Sequence, residues 1–353
     1  MTTMAAITPF QTLLSQSHHP PHKPSLPPLS SPSHQPPSFF SLHRIRIRHR
    51  LQLPHRKLTL LRTNSTRNPS SKRNSRRFGD EEDGEIDFGV KKVTQFSLWI
   101  MEGVYILWLF LLSYAPGDPV WAISSDTINS LLGLSLNFFY VLPLTNAVVG
   151  IHVIEAPVIH PMSEGLFNFV IGWTLMFAPL LFTDLKNGRY KGSLDVLWGC
   201  QMFLTNTFLI PYMAIRLNKP DEEDNPRKLS RLGTVMIQGA HIVGLIGGFV
   251  SLISILWGFF GRAEGDFGSV SQRWDFLLSY LGSERLAYAF IWDIVLYAIF
   301  QPWLIGENLA NVQENRVVIV KYLRFVPVIG LVAYLVSLNR DEEMYIVNKS
   351  LND

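Results

Sequence analysis

Four side chains in the stretch GIHVIEAPVIHPMSEG are of the types that bind metals: His152, Glu155, His160 and Glu164. A His and a Glu three residues apart share one face of a helix. A second His beyond a proline turn then completes the three-ligand set His152, Glu155 and His160, the kind that catalytic metals use. Pro157 and Pro161 interrupt the helix, so spacing alone leaves two other readings open: a capped polar loop at a membrane edge, and a proton relay. No second His/Glu motif of the kind a di-iron carboxylate site needs is present, and no cofactor is expected.

A second set is defined by its surroundings. Glu102, His241 and Asp293 each lie inside a long apolar block. An ionisable group within a bilayer costs several kcal/mol unless it is paired or hydrated, so each is a candidate for a proton or ion path. Trp99 and Tyr105 share a helix face with Glu102, and Tyr297 lies one turn after Asp293. The competing reading is an interhelical hydrogen bond at each position. Catalytic residues are not identifiable: there is no Gly-rich phosphate loop, Walker lysine, Rossmann fingerprint or Ser-His-Asp order. Nucleotide-driven work and nucleic acid binding are therefore not expected, and the sequence does not favour an enzyme.

These residues must be positioned by membrane helices. About 20 apolar residues cross the hydrocarbon core, and the blocks 96–115, 166–183, 194–215, 234–260, 285–305 and 319–338 meet that length. A seventh, 128–150, contains Asn129, Asn137, Pro143 and Asn146 and is expected to span, lie in the interface or fold back part-way. Blocks this long and non-alternating are helices rather than barrel strands. The fold class is thus all-α, a polytopic bundle of about six or seven transmembrane helices. Trp99, Trp121, Trp198, Trp274 and Trp303 fall near span ends, as interfacial belts require. Ala240, Gly244 and Gly248 recur at four-residue spacing on 234–260, a stripe that lets another helix backbone approach closely. The same helix is a candidate surface for other membrane proteins. Lys91 and Lys92 precede the first span and place the N-terminus on the stromal side. Basic loops flank the single helix 194–215 on both sides, so one of them must lie on the wrong side. Six spans, with a partial or surface helix at 128–150, is the preferred count.

Charge divides the chain in two. Residues 1–79 hold no Asp or Glu and 13 Lys and Arg; the other 18 of the 31 bases face all 28 acids, a net charge of about −10. A Ser-, Pro- and Arg-rich, acid-free leader has the composition of an organellar transit peptide, and its non-amphipathic first forty residues favour a plastid. The expected organisation is a disordered, cleaved leader at 1–75, an acidic and polar mature N-terminus at 76–94, a helical membrane domain at 95–340 and a short polar tail at 341–353. The lone Cys200 excludes an intrachain disulfide and a thiol pair.

The stretches LFNFVIGWTLMFAPLLFTD (166–184) and FLIPYMAIR (208–216), joined by a short basic loop, carry a resemblance that extends over most of 95–340. The chain resembles an uncharacterised family of cyanobacterial and plastid multi-pass integral membrane proteins. The resemblance implies a photosynthetic-lineage membrane, thylakoid or inner envelope, and brings no catalytic residues. Family members are shorter between the first span and Leu166, so the segment from His152 to His160 is an elaboration of this chain. Three functions remain: assembly, organisation or regulation of plastid membrane complexes, which the packing stripe favours; a small-solute or ion transporter or channel; and a metal-dependent intramembrane enzyme acting on a lipid, pigment or quinone.

Overall fold

Glu164 and Asp184, twenty residues apart, bracket one helix that organises the others. At a rise of about 1.5 Å per residue they are roughly 30 Å apart, the thickness of a hydrocarbon core. The computed structural model describes residues 73–146, 155–219, 229–263 and 265–339, with side chains from residue 89 onward. They belong to one compact unit, Pro69–Asp353. The leader, His152 and the tail 341–353 lie outside the described residues.

Every regular element among them is helical: α1 (Arg73–Ile106), α2 (Ser125–Leu136), α3 (Val141–Leu144), α4 (Pro161–Phe182), α5 (Leu194–Leu204), α6 (Asn206–Ile215), α7 (Arg231–Gln238), α8 (Ala240–Phe260), α9 (Val270–Ser283), α10 (Arg285–Glu307), α11 (Val317–Leu323) and α12 (Ile329–Val336). Five stretches are long and apolar enough to cross a membrane: 89–111, 125–144, 161–182, 240–260 and 285–307. The stretch 76–94, expected as an acidic and polar mature N-terminus, lies within α1.

α4 is the central helix. It starts where His160 accepts the backbone N–H of Met162 and Pro161 takes the first helical position, where a missing N–H costs nothing. α8 runs antiparallel to it in close contact: Gly258 abuts Met162, Gly165 abuts the Ser254 carbonyl and Gly247 abuts Gly172 and Met176. Backbones meet this closely only where side chains are small. The expected stripe lies one step around α8, where Gly244 packs on Leu335 and Gly248 on Val332 of α12, with Ala240 buried beside them. Helix 234–260 therefore uses both of its small-residue faces within the chain.

Hydrogen bonds fix the level of the other helices. α10 runs parallel to α4, with Tyr297 at Thr174, Gln301 at Trp173 and Asn308 at Asp184. α1 runs antiparallel to α10, with Tyr105 at Asp293 and Trp108 at Tyr288. α1, α4, α8 and α10 thus run from one end of the bundle to the other.

Two blocks expected as single spans do not cross. Arg189 donates to the Arg216 carbonyl and Ser230 to Asp195, so the start of α5 and the end of α6 lie at the Asp184 end of α4. Between them the chain reverses at Thr205 (φ 39°, ψ −109°). The block 194–215 is therefore a re-entrant helical hairpin. Likewise α11 and α12 turn back at residues 324–328, and Leu338 forms a bridge with Val312, the segment that precedes α11. Within the segment 125–144, Thr127 lines a cavity with His160, and Asn137 reaches the Pro157 carbonyl. The segment kinks at Phe139 and Tyr140, both with positive φ.

The hairpin resolves the charge conflict. Lys186, Arg189, Lys191 and Lys219 lie on one face, because 194–215 dips in and returns, and Gln95 on Ala214 and Asn218 brings Lys91 and Lys92 to that face. In a Cys200→Ser background, Lys191→Cys and Lys219→Cys should both react with an impermeant maleimide from the same side, and Asp266→Cys from the other. Labelling of 191 and 219 from opposite sides would restore a single crossing.

Candidate functional site

The polar groups buried in the bundle form three levels. At the opposite face, Glu164 is fully buried and takes a two-point grip from Arg262, Nε to Oε2 at 2.9 Å and Nη2 to Oε1 at 2.6 Å. Trp257 Nε1 donates to Oε2 at 2.7 Å and Asn137 Nδ2 to Oε1 at 2.5 Å. Arg262 adopts φ 50°, which aims its side chain back from the end of α8. Two further arginines on this face also fold inward. Arg273 caps α8 through the Gly258 and Gly261 carbonyls, and Arg285 caps the end of α1 through Leu109, Leu112, Ala115 and Gly117. A cation there satisfies carbonyls that a helix terminus leaves without partners.

At the basic face, Arg216 is fully buried and grips Asp184 at 2.9 and 2.7 Å, while its Nη1 donates to Glu307 at 2.8 Å. Tyr212 and Asn308 donate to the same Asp184 carboxylate, and Lys186 pairs with Glu307 at 2.5 Å. Burial alone would raise the Asp184 carboxyl, but the hydrogen bonds and charge of Arg216 outweigh it and hold the group below its usual range.

Between these levels lies Asp293, eight residues into α10, about 12 Å from the Arg285 end and only 2% exposed. One oxygen, Oδ1, accepts from Thr205 Oγ1 at 2.6 Å, Asn206 Nδ2 at 2.8 Å and Tyr105 Oη at 3.0 Å. Thr205 and Asn206 are the turn of the first hairpin. The second hairpin is held by the same face of α10, two turns on: Gln301 donates to the Arg324 and Val326 carbonyls and accepts from the Val328 N–H. Beside Asp293, the buried Asn206 Oδ1 has no hydrogen-bond partner among the described residues.

Of the residues singled out in the sequence, Asp293 is joined to α1 through Tyr105, three residues beyond the buried Glu102. His241 sits half-buried in the first turn of α8, at the basic-face end. The metal set is not assembled by what is described. Glu155 is exposed, His160 caps α4 and stacks on Phe276 at 3.5 Å, and Glu164 is taken by Arg262. Among the described residues no three His, Cys, Asp or Glu side chains group as metal ligands. Cys200 is a half-buried free thiol on α5.

Sequence reasoning missed Asp184, Arg216 and Arg262, which read as ordinary loop charges at span ends. It also missed the hairpin turn. One signal was present: Thr205, Asn206 and Thr207 are three consecutive polar residues in the middle of an otherwise apolar block.

His160 offers a pH test. Burial first, and the Arg273 charge second, lower its pKa from 6.5 to about 4. Between those values the unfolded chain binds the proton more readily, so stability must fall as pH falls from about 6.5 toward 4. The expected result is a thermal midpoint that declines across this window and declines less in His160→Gln. Identical slopes for both proteins would remove His160 as the cause.

No family model, curated protein or solved structure matches the chain.

Proposed function

We propose that the protein is a plastid-membrane carrier or channel for a small ion or solute, with Asp293 as its charge-bearing group. The observation that carries this reading is the turn of a re-entrant hairpin placed on a buried carboxylate, with Thr205 and Asn206 donating to Asp293. Interrupted backbone at membrane depth is tolerated where it is buried in protein or lines an aqueous cavity, and broken helices facing a carboxylate are how transporters hold ions and protons. Asn206 Oδ1, without a partner among the described residues beside the carboxylate, fits a site that exchanges a cation or proton rather than one closed by packing. The acid-free, Ser/Pro/Arg-rich leader supports import into a plastid. An assembly role drew its support from the small-residue stripe, whose glycines pack on α12 of the same chain. A metal-dependent enzyme needed the His152 set.

The test is flux. Full-length chain in liposomes should dissipate an imposed proton or potassium gradient faster than empty liposomes. Asp293→Asn, with an unchanged elution volume and melting midpoint, should reduce that flux tenfold or more. Equal flux for both proteins, or none above empty liposomes, would overturn the reading.

A further inference from the structure

On the face opposite the basic loops, α2, the start of α4, α9 and the start of α10 line an open cavity of about 320 Å³. It is separate from Asp293 and is not used by the transport reading. Half of its lining residues carry hydroxyls: Thr127 and Ser130 from α2, Ser163 from α4, and Ser279, Tyr280 and Ser283 from α9. Leu134, Ile159, Phe276 and Leu286 supply an apolar part of comparable area. Ser130, Ser279 and Ser283 are exposed at the mouth of the cavity, and Glu284 is half-buried. His160 also faces the cavity, and its Nδ1 accepts the Met162 N–H, which leaves the ring proton on Nε2 as a donor.

This lining selects by chemistry. A hydroxyl both donates and accepts, and the Glu284 carboxylate accepts twice. No Lys or Arg lines the cavity, so an anion would meet the Glu284 carboxylate without a cation in direct contact. A ligand rich in hydroxyls answers donors with acceptors and acceptors with donors at every wall. The volume stands at the lower end of ligand pockets, roughly 300–1,000 Å³, which suits a single sugar-sized ring. The level of the cavity, beside the N-terminus of α4, is that of the membrane–water interface.

We infer that this cavity is a binding site for an uncharged polyhydroxylated group of hexose size, either a free sugar or the headgroup of a glycolipid. Glu284 and the serines of α9 read the ligand's hydroxyls, and Ser130 closes the α2 side.

The experiment uses the full-length chain in a sugar-free detergent and in vesicles. Titration calorimetry with methyl glucoside, choline and inorganic phosphate tests the soluble source. Phosphatidylcholine vesicles with and without monohexosyl diacylglycerol, with thermal midpoint as readout, test the lipid source. Saturable methyl glucoside binding, or a midpoint raised by the hexosyl lipid alone, is expected, and which of the two occurs identifies the source. Ser130→Leu, which fills the cavity from an exposed helix position, should abolish the effect. Glu284→Gln, which keeps the shape, should weaken it tenfold or more, with both variants melting as wild type. Binding of choline or phosphate in preference to the hexose, no response to any probe, or hexose binding untouched in both variants would overturn the assignment. A variant that fails to fold is replaced by Ser279→Leu, which closes the cavity from the exposed side of α9.

Discussion

Replacing Arg216 with Met should destabilise the folded chain by about 3–5 kcal/mol, the usual cost of removing one partner from a buried ion pair. The guanidinium has no exposed surface and Asp184 is equally enclosed, so the variant leaves an ionised carboxylate in a site from which water is excluded. Tyr212 and Asn308 still donate to it, but neither carries charge. Three elements lose a shared anchor at once: the end of α4, the end of α6 and, through Glu307, the end of α10. A detergent or urea titration of the purified protein reads this as a shifted midpoint, and in cells as poor accumulation in the membrane. The double variant Asp184→Asn with Arg216→Met should recover part of the loss, because it removes the stranded charge as well. The deficit of the single variant should also shrink as the pH is lowered, since protonation of Asp184 costs the variant nothing it still has. A single variant as stable as wild type would mean that the Asp184 pair is not what closes the basic face.

The second large effect is steric. Gly165→Val should cost roughly 1–3 kcal/mol, the usual penalty for over-filling a packed contact, and separate α4 from α8. A Cβ at residue 165 would lie 2.6 Å from the Ser254 carbonyl oxygen and 3.2 Å from the Gly258 backbone, groups that cannot rotate away. The comparison that isolates this cause is Gly199→Ala on α5, where a Cβ would meet nothing within 4 Å. There the substitution should be neutral or stabilise the helix, because Ala is better than Gly inside one by roughly 0.5–1 kcal/mol. Equal losses at both positions would show that the glycines matter as flexible points rather than for close approach.

Asp293 illustrates what could be read directly. A carboxylate in an apolar block must be paired, whatever the fold, and the structure pairs it. Tyr105, placed on the face of Glu102 by helical spacing alone, turned out to be one of its partners. Asp184 and Arg216 show the opposite. Each is a charged residue at the end of an apolar block, indistinguishable in sequence from a solvated loop charge. Only the meeting of two chain segments 32 residues apart makes them a buried pair. The glycine stripe was legible as a packing surface, but its partner was not, because any helix with a complementary surface satisfies the same spacing.

The sequence by itself determined that the body is helical and that its long apolar stretches belong in lipid. Solvation of apolar side chains and of backbone amides is a local property, set by length and composition. Which stretches cross was decided only by tertiary structure. The blocks 194–215 and 319–338 are apolar and long enough to span, yet each turns back to the face it came from. Their ends are fixed by distant contacts, Arg189 on Arg216 and Val312 on Leu338, and hydropathy carries no information about where the two ends of a segment meet.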